Sequence, residues 1–119
     1  MSTAGTVLSI VLGLAFFAAG GTKVANLGPH EKEFVRYGLP GLPPQAARVM
    51  VGATELTATV LLAIGAIADS RTVAVIGALL VIVAMLGALA THLRIHDPVE
   101  KMIPPALLGL VAVALLVFS

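Results

Sequence analysis

Four long apolar runs are separated by short polar punctuation, at about Thr6 to Ala25, Gln45 to Ala68, Thr72 to Leu93 and Ile103 to Phe118. Each is near the roughly 17 to 25 residues a helix needs to cross a bilayer, so the pattern predicts four transmembrane helices. The fourth run is the shortest and opens on Pro104 and Pro105, which a first helical turn tolerates because its N–H groups have no intrahelical partner. Pro43 and Pro44 stand in the same relation to the second run. Only Asp69, Ser70 and Arg71 separate the second and third runs, so those helices are predicted to be antiparallel neighbours, with Ser70 as N-cap of the third.

The stretch from Asn26 to Pro44 breaks the rhythm. Within it, Pro29 to Tyr37 sets Phe34, Val35 and Tyr37 beside His30, Glu31, Lys32, Glu33 and Arg36, which predicts a short amphipathic helix lying in the membrane interface. Gly38, Pro40, Gly41, Pro43 and Pro44 then interrupt helix repeatedly and predict a stiff connector. Small residues recur at helical spacing in the spans. Gly13, Phe16, Gly20 and Lys23 share a face of the first, and Gly77, Ala84, Gly87 and Thr91 share one of the third. Lipid supplies no hydrophobic drive between helices, so close approach over such faces has to supply the packing. The expected fold is an all-α four-transmembrane-helix bundle with one interfacial helix, a single domain over residues 1–119. The same glycine-lined faces would also suit a homo-oligomer, although packing within one chain consumes them.

Composition changes the picture in one respect. With 59% apolar and 11% charged residues in 119, the chain is far more apolar than a soluble domain, so its solvent is lipid. A net charge of +1 without a basic stripe excludes nucleic-acid binding, and the absence of cysteine excludes disulfides, thiol catalysis and thiolate metal sites. Residues Met1 to Thr6 carry no Lys or Arg, so the first run reads as a retained span and not as a cleaved signal. Tryptophan is missing and Tyr37 is the sole tyrosine, so depth has to be judged from charge. Lys23, Lys32, Arg36, Arg48, Arg94 and Lys101 fall at one end of the spans, against Arg71 alone at the other. The positive-inside tendency then predicts a cytoplasmic first loop and both termini outside.

Candidate chemistry gathers at that same end. Glu55 lies inside a span, seven residues past Arg48 and so roughly 10 Å deeper, and an acid in hydrocarbon is kept only where it faces a partner, a cavity or the bundle interior. Lys23, His92, Arg94 and Asp97 approach from the same side, which predicts a pocket or ion-pair cluster of Lys23, Glu55, His92, Arg94 and Asp97. A pair of Glu55 with Lys23 or with Arg94 is the first contact expected. Glu55 and His92 are the candidate catalytic acid and base, with a buried structural ion pair as the plain alternative. His92 and His96 would share a face only if helix continued past them, which Pro98 opposes, so no metal site is assigned and haem is unsupported. Gly20, Gly21, Thr22 and Lys23 lack P-loop spacing and follow an apolar helix, not a strand. Thr54, Thr57 and Thr59 are expected to bond back to their own helix.

Gly20 to Lys23 closing the first span, FVRYGLP from Phe34 to Pro40, VGATEL from Val51 to Leu56 and ATHLR from Ala90 to Arg94 together resemble the DoxX-like membrane proteins, in order and spacing, over nearly the whole chain. The resemblance implies a four-helix protein of the bacterial inner membrane, linked in some relatives to membrane-associated oxidoreductases, and places Lys23, Gly38, Pro40, Glu55, His92 and Arg94 at matching positions. It assigns no catalytic role to them. The favoured reading is a subunit or accessory of an oxidoreductase system, with a soluble oxidoreductase partner and a polar pocket for a quinone or another lipophilic molecule. No redox cofactor of its own is evident. A stand-alone enzyme acting through Glu55 and His92 on a lipophilic substrate is the alternative. A small proton-coupled exporter comes third, because the exporters of this size carry their glutamate in the first helix and this chain has none before Glu31.

Overall fold

The computed structural model covers residues 1–119 and is helical almost throughout. Helix α1 (Thr3–Val24) is followed by the short α2 (His30–Tyr37), then α3 (Pro44–Ile67), α4 (Arg71–Arg94), a single 3₁₀ turn (Val99–Lys101) and α5 (Ile103–Phe118). The four long elements are the four predicted spans, and the molecule is 40 Å along its longest axis, enough to cross a hydrocarbon core of about 30 Å. Each long helix packs on its neighbours in the cyclic order α1, α3, α4, α5, which closes a four-helix bundle.

Local rules fix the ends. Ser70 caps α4 by accepting from the Val73 amide, and Pro44, Pro104 and Pro105 sit in first turns as expected. The three long helices that run into loops all stop in the same way, by a residue in the left-handed region: Asn26, Asp69 and His96, with φ of 55°, 52° and 58°. At each, the amide three residues beyond the helix's last residue reaches back to its final turn: Leu27 to the Thr22 carbonyl, Ser70 to Gly65 and Asp97 to His92. This is the Schellman arrangement, usually served by glycine; asparagine, aspartate and histidine are the other side chains that tolerate it best.

Glycine permits the closest helix contacts. A Cβ on Gly20 would lie 2.7 Å from the Gly52 carbonyl oxygen, and one on Gly52 would lie 2.9 Å from the Gly20 oxygen, so α1 and α3 cross here nearly backbone to backbone. Gly65 is equally tight against the Ala74 backbone, where α3 turns into α4. The α4 stripe is only half a packing face, however. Gly77 meets Leu61 and Leu62, whereas Gly87 has open space beside it and lines a cavity. The dry core, with Leu12, Phe16, Leu62, Val81 and Leu115 at or near zero exposure, lies in the middle and towards the termini. The end bearing α2 is packed differently.

Candidate functional site

Side chains on a helix lean towards its N-terminus. At the α2 end, α1 and α4 finish while α3 begins, so Lys23 and His92 lean into the membrane and Glu55 leans out towards them. Residues whose backbones stand at different depths converge for this reason.

Lys23 Nζ lies 2.8 Å from Glu55 Oε1, and the carboxylate side chain is only 4% exposed. The ammonium therefore turns inward and does not snorkel to the headgroups. It stands off the ideal hydrogen-bonding angle, and Glu55 Oε1 has no other partner. Below the pair, Gly20 and Gly52 bring the two backbones close enough for the lysine to reach. Thr59 bonds to the Glu55 carbonyl and to the Gly13 carbonyl of α1, tying the same two helices one turn deeper.

Arg48, which in the sequence marks only depth and orientation, proves to be part of the site. It is 3% exposed, and its guanidinium donates to the Lys23 and Val24 carbonyls at the end of α1. A cation at a helix C-terminus meets the negative end of the macrodipole and satisfies carbonyls the helix leaves open. The signal available in the sequence was an arginine one turn into a span that follows a proline pair.

His92, Arg94 and Asp97 do not join Glu55. Because His96 takes the left-handed conformation, the chain doubles back and delivers Asp97 to the imidazole: His92 Nδ1 is 2.5 Å from Asp97 Oδ2. Arg36 of α2 holds the other oxygen at 2.5 Å and Glu33 at 2.7 Å. The hydrogen bonds from Arg36, then from His92, pull the Asp97 carboxyl down to about 2, and Arg36 also lowers Glu33. The same contacts raise the Arg36 guanidinium further. The alternative Glu55 to Arg94 pair is not formed. Arg94 is drawn away to donate to the Tyr37 carbonyl, which the left-handed Gly38 leaves exposed at the end of α2. His96 is exposed and, with the helix ended at Arg94, shares no face with His92.

These contacts mount α2 across the bundle by both ends. At the far end His30 Nε2 lies 2.9 Å from Thr22 Oγ1, whose own proton goes to the Ala18 carbonyl, so the imidazole is the donor. Burial first, then the charges of Lys23 and Arg48, hold His30 below its ordinary value. Between the two anchors, Phe34 is buried, and Tyr37 stacks edge-on against Phe34 and His92 with ring centroids 5.1 and 5.6 Å away. Burial, followed by the nearby Glu33 charge, pushes the Tyr37 hydroxyl up to about 12.

Beneath α2 lies a cavity of about 830 Å³ reaching into the bundle between α1, α3, α4 and α5. Its walls are mainly apolar, from Leu39, Met50, Met85 and Leu108 among others, and Lys23, Glu55 and His92 all reach its surface. Arg94 and Asp97 do not line it; they hold α2 in place over it. Glu55 and His92 thus share a chamber, while each has its own partner of opposite character.

Fold and site together define a small multi-pass helical membrane protein with ionisable groups facing an intramembrane chamber. The chain belongs to the DoxX-like family, whose profile matches residues 7–115. No curated protein and no solved structure matches it.

Proposed function

We propose that the protein is the membrane-embedded binding subunit or accessory of an oxidoreductase system, and that its chamber takes a quinone or another lipophilic molecule with a polar head. The observation that carries this reading is the chamber itself: apolar walls of a size typical of small-molecule sites, with a few polar groups converging at one end. A purely structural ion pair needs no such space beside it. The excess of Lys and Arg at the α2 end supports a bacterial inner-membrane setting in which α2 faces the cytoplasm, the compartment of a soluble redox partner, and the termini lie outside.

The test is native mass spectrometry after gentle solubilisation, on the wild type and on Ala88→Phe, which adds a ring to the chamber wall on the inward stripe of α4. A lipophilic adduct on the wild type that is lost in the variant, together with a co-purifying soluble oxidoreductase, is the expected result. A protein free of adducts and partner in several mild detergents would overturn the reading.

A second reading has one specific observation in its favour. An imidazole oriented through Nδ1 by a carboxylate is the arrangement that fixes a general base. It supports His92 as the proton-transferring group of an enzyme, with Glu55 as the partner acid, acting on a lipophilic substrate in the same chamber.

A further inference from the structure

From the way α3 and α4 part beside the chamber we infer that it is filled sideways from the bilayer: a window between these two helices admits the polar head of a membrane-dissolved molecule and leaves its hydrocarbon tail in lipid. This rests on the proposal that the chamber binds a lipophilic molecule, and adds the route it takes and the tail it carries.

The two helices start out in contact. At the turn that joins them a Cβ on Gly65 would lie 2.7 Å from the Ala74 backbone, and further along one on Gly77 would lie 3.1 Å from Leu61, whereas one on Gly87 would meet nothing within 4 Å. Towards the α2 end, Met50 and Thr54 of α3 and Gly87 and Thr91 of α4 all line the chamber. Met50 is nevertheless 54% exposed and Gly87 is exposed too, so the chamber edge and the outer surface of the bundle meet at these residues. Gly87 stands seven residues inside the Arg94 end of α4 and Met50 six inside the Pro44 start of α3, roughly 10 Å along each helix, which puts the gap in hydrocarbon and below the headgroups. The gap is also closed above. Arg94 at the end of α4 holds the Tyr37 carbonyl and α3 starts at Pro44, so the connector between them, with Leu39 and Leu42 on the chamber wall, passes over the top.

The rim suits hydrocarbon. Thr54 donates to the Met50 carbonyl and Thr91 to the Gly87 carbonyl, so both hydroxyl protons are spent within their own helices. Gly87 packs against nothing, although a glycine inside a helix costs up to about 1 kcal/mol relative to alanine. What its missing side chain supplies is width at the window. The other exposed edge of the chamber has the opposite character, with Glu100, Lys101 and Pro104 around the 3₁₀ turn that leads into α5. An alkyl tail gains nothing by leaving past two solvated charges, whereas through the window between α3 and α4 it never quits lipid. Between α1 and α5 the chamber-lining Ala19 and Leu108 are half-buried, so that seam offers no comparable gap.

The test is photolabelling of the full chain in lipid nanodiscs. Two probes share one decyl-bearing benzoquinone, with a diazirine on the ring in one and at the far end of the tail in the other. Only labelling that excess unmodified quinone competes away is counted, and labelled peptides are mapped by mass spectrometry. The ring label is expected on the inner chamber wall, as at Met85, and the tail label on the segments Met50–Thr54 and Gly87–Thr91. Thr54→Trp combined with Gly87→Trp, which narrows the window from both sides, is expected to lose most of both labels. A ring label in the chamber with the tail label around Glu100 and Lys101, or with the tail label beside it at Met85, would overturn the window while leaving the chamber a lipophile site. A double variant that folds and labels like the wild type would do the same. No competed labelling at all would overturn the inference together with the proposal beneath it. The wild-type map decides alone if the double variant fails to fold.

Discussion

The two ends of this bundle solve the packing problem by opposite means. Towards the termini, alanines and glycines let the helices approach until Leu12, Leu62 and Leu115 have no exposed surface, no charged side chain is buried, and the one ion pair, from the Met1 ammonium to the exposed Asp69, lies at the very end of the bundle. At the α2 end the helices leave a chamber and are joined by ionic contacts: Lys23 with Glu55, Arg48 with the end of α1, and Asp97 with Arg36 and His92. The difference teaches where stability and function are divided. Dispersion across close faces holds the dry half, and that leaves the other half free to keep ionisable groups around empty space.

The largest expected effect comes from breaking the ionic half at its deepest point. Lys23→Met leaves Glu55 as a buried unpaired carboxylate and should destabilise the protein by about 3–5 kcal/mol. Adding Glu55→Leu to the same chain should recover most of that loss, because the pair as a whole is worth far less than either half alone. Unfolding in mixed micelles, followed by circular dichroism at 222 nm, measures both. A single variant as stable as the wild type would mean that the pair is not what joins α1 to α3.

Glycine substitutions sharpen the same comparison with smaller effects. Gly65→Ala drives a methyl group into the Ala74 backbone and should cost roughly 1–3 kcal/mol, whereas Gly87→Ala meets nothing and gains helix propensity of up to about 1 kcal/mol. The same unfolding assay should therefore move in opposite directions for two formally identical changes. If both are neutral, the two ends do not differ in packing.

Acid should loosen the mounting of α2, and gently. Asp97 has its carboxyl lowered to about 2, below its unfolded value, so its contribution to holding α2 is complete above the unfolded value near 3.9 and is lost as pH falls through about 2. Carbon-13 NMR of the Asp97 carboxyl should show protonation at about 2 in the wild type and at a higher pH in Arg36→Gln, still short of an ordinary aspartate value because His92 remains. A wild-type midpoint near 4 would show that Arg36 and His92 do not hold it.

Much of this was legible in the sequence because it depends on periodicity and local chemistry. Run lengths gave four spans, the mixed segment from Pro29 to Tyr37 gave α2, and Ser70 announced its cap. An acid in oil with a lysine at the same end pointed to the Lys23 to Glu55 contact, since few other cations can reach that depth. What could not be read depends on where side chains turn after the helix has stopped. Arg36 and Asp97 are 61 positions apart, and their meeting follows from one left-handed residue, His96, which reverses the chain. Level alone leaves Lys23 and Arg94 as alternative partners of Glu55, and it is the open carbonyl of Tyr37 that claims Arg94. Gly87 repeats the spacing of a packing glycine, and only the three-dimensional arrangement reveals that nothing packs there.

Tyr37 marks the chamber optically. The chain has no indole and only this phenol, and its ring sits in the roof of the chamber against His92. Near-ultraviolet emission excited beyond the phenylalanine band therefore originates from a single spot, so an arriving guest that quenches or shifts it announces itself without any attached dye.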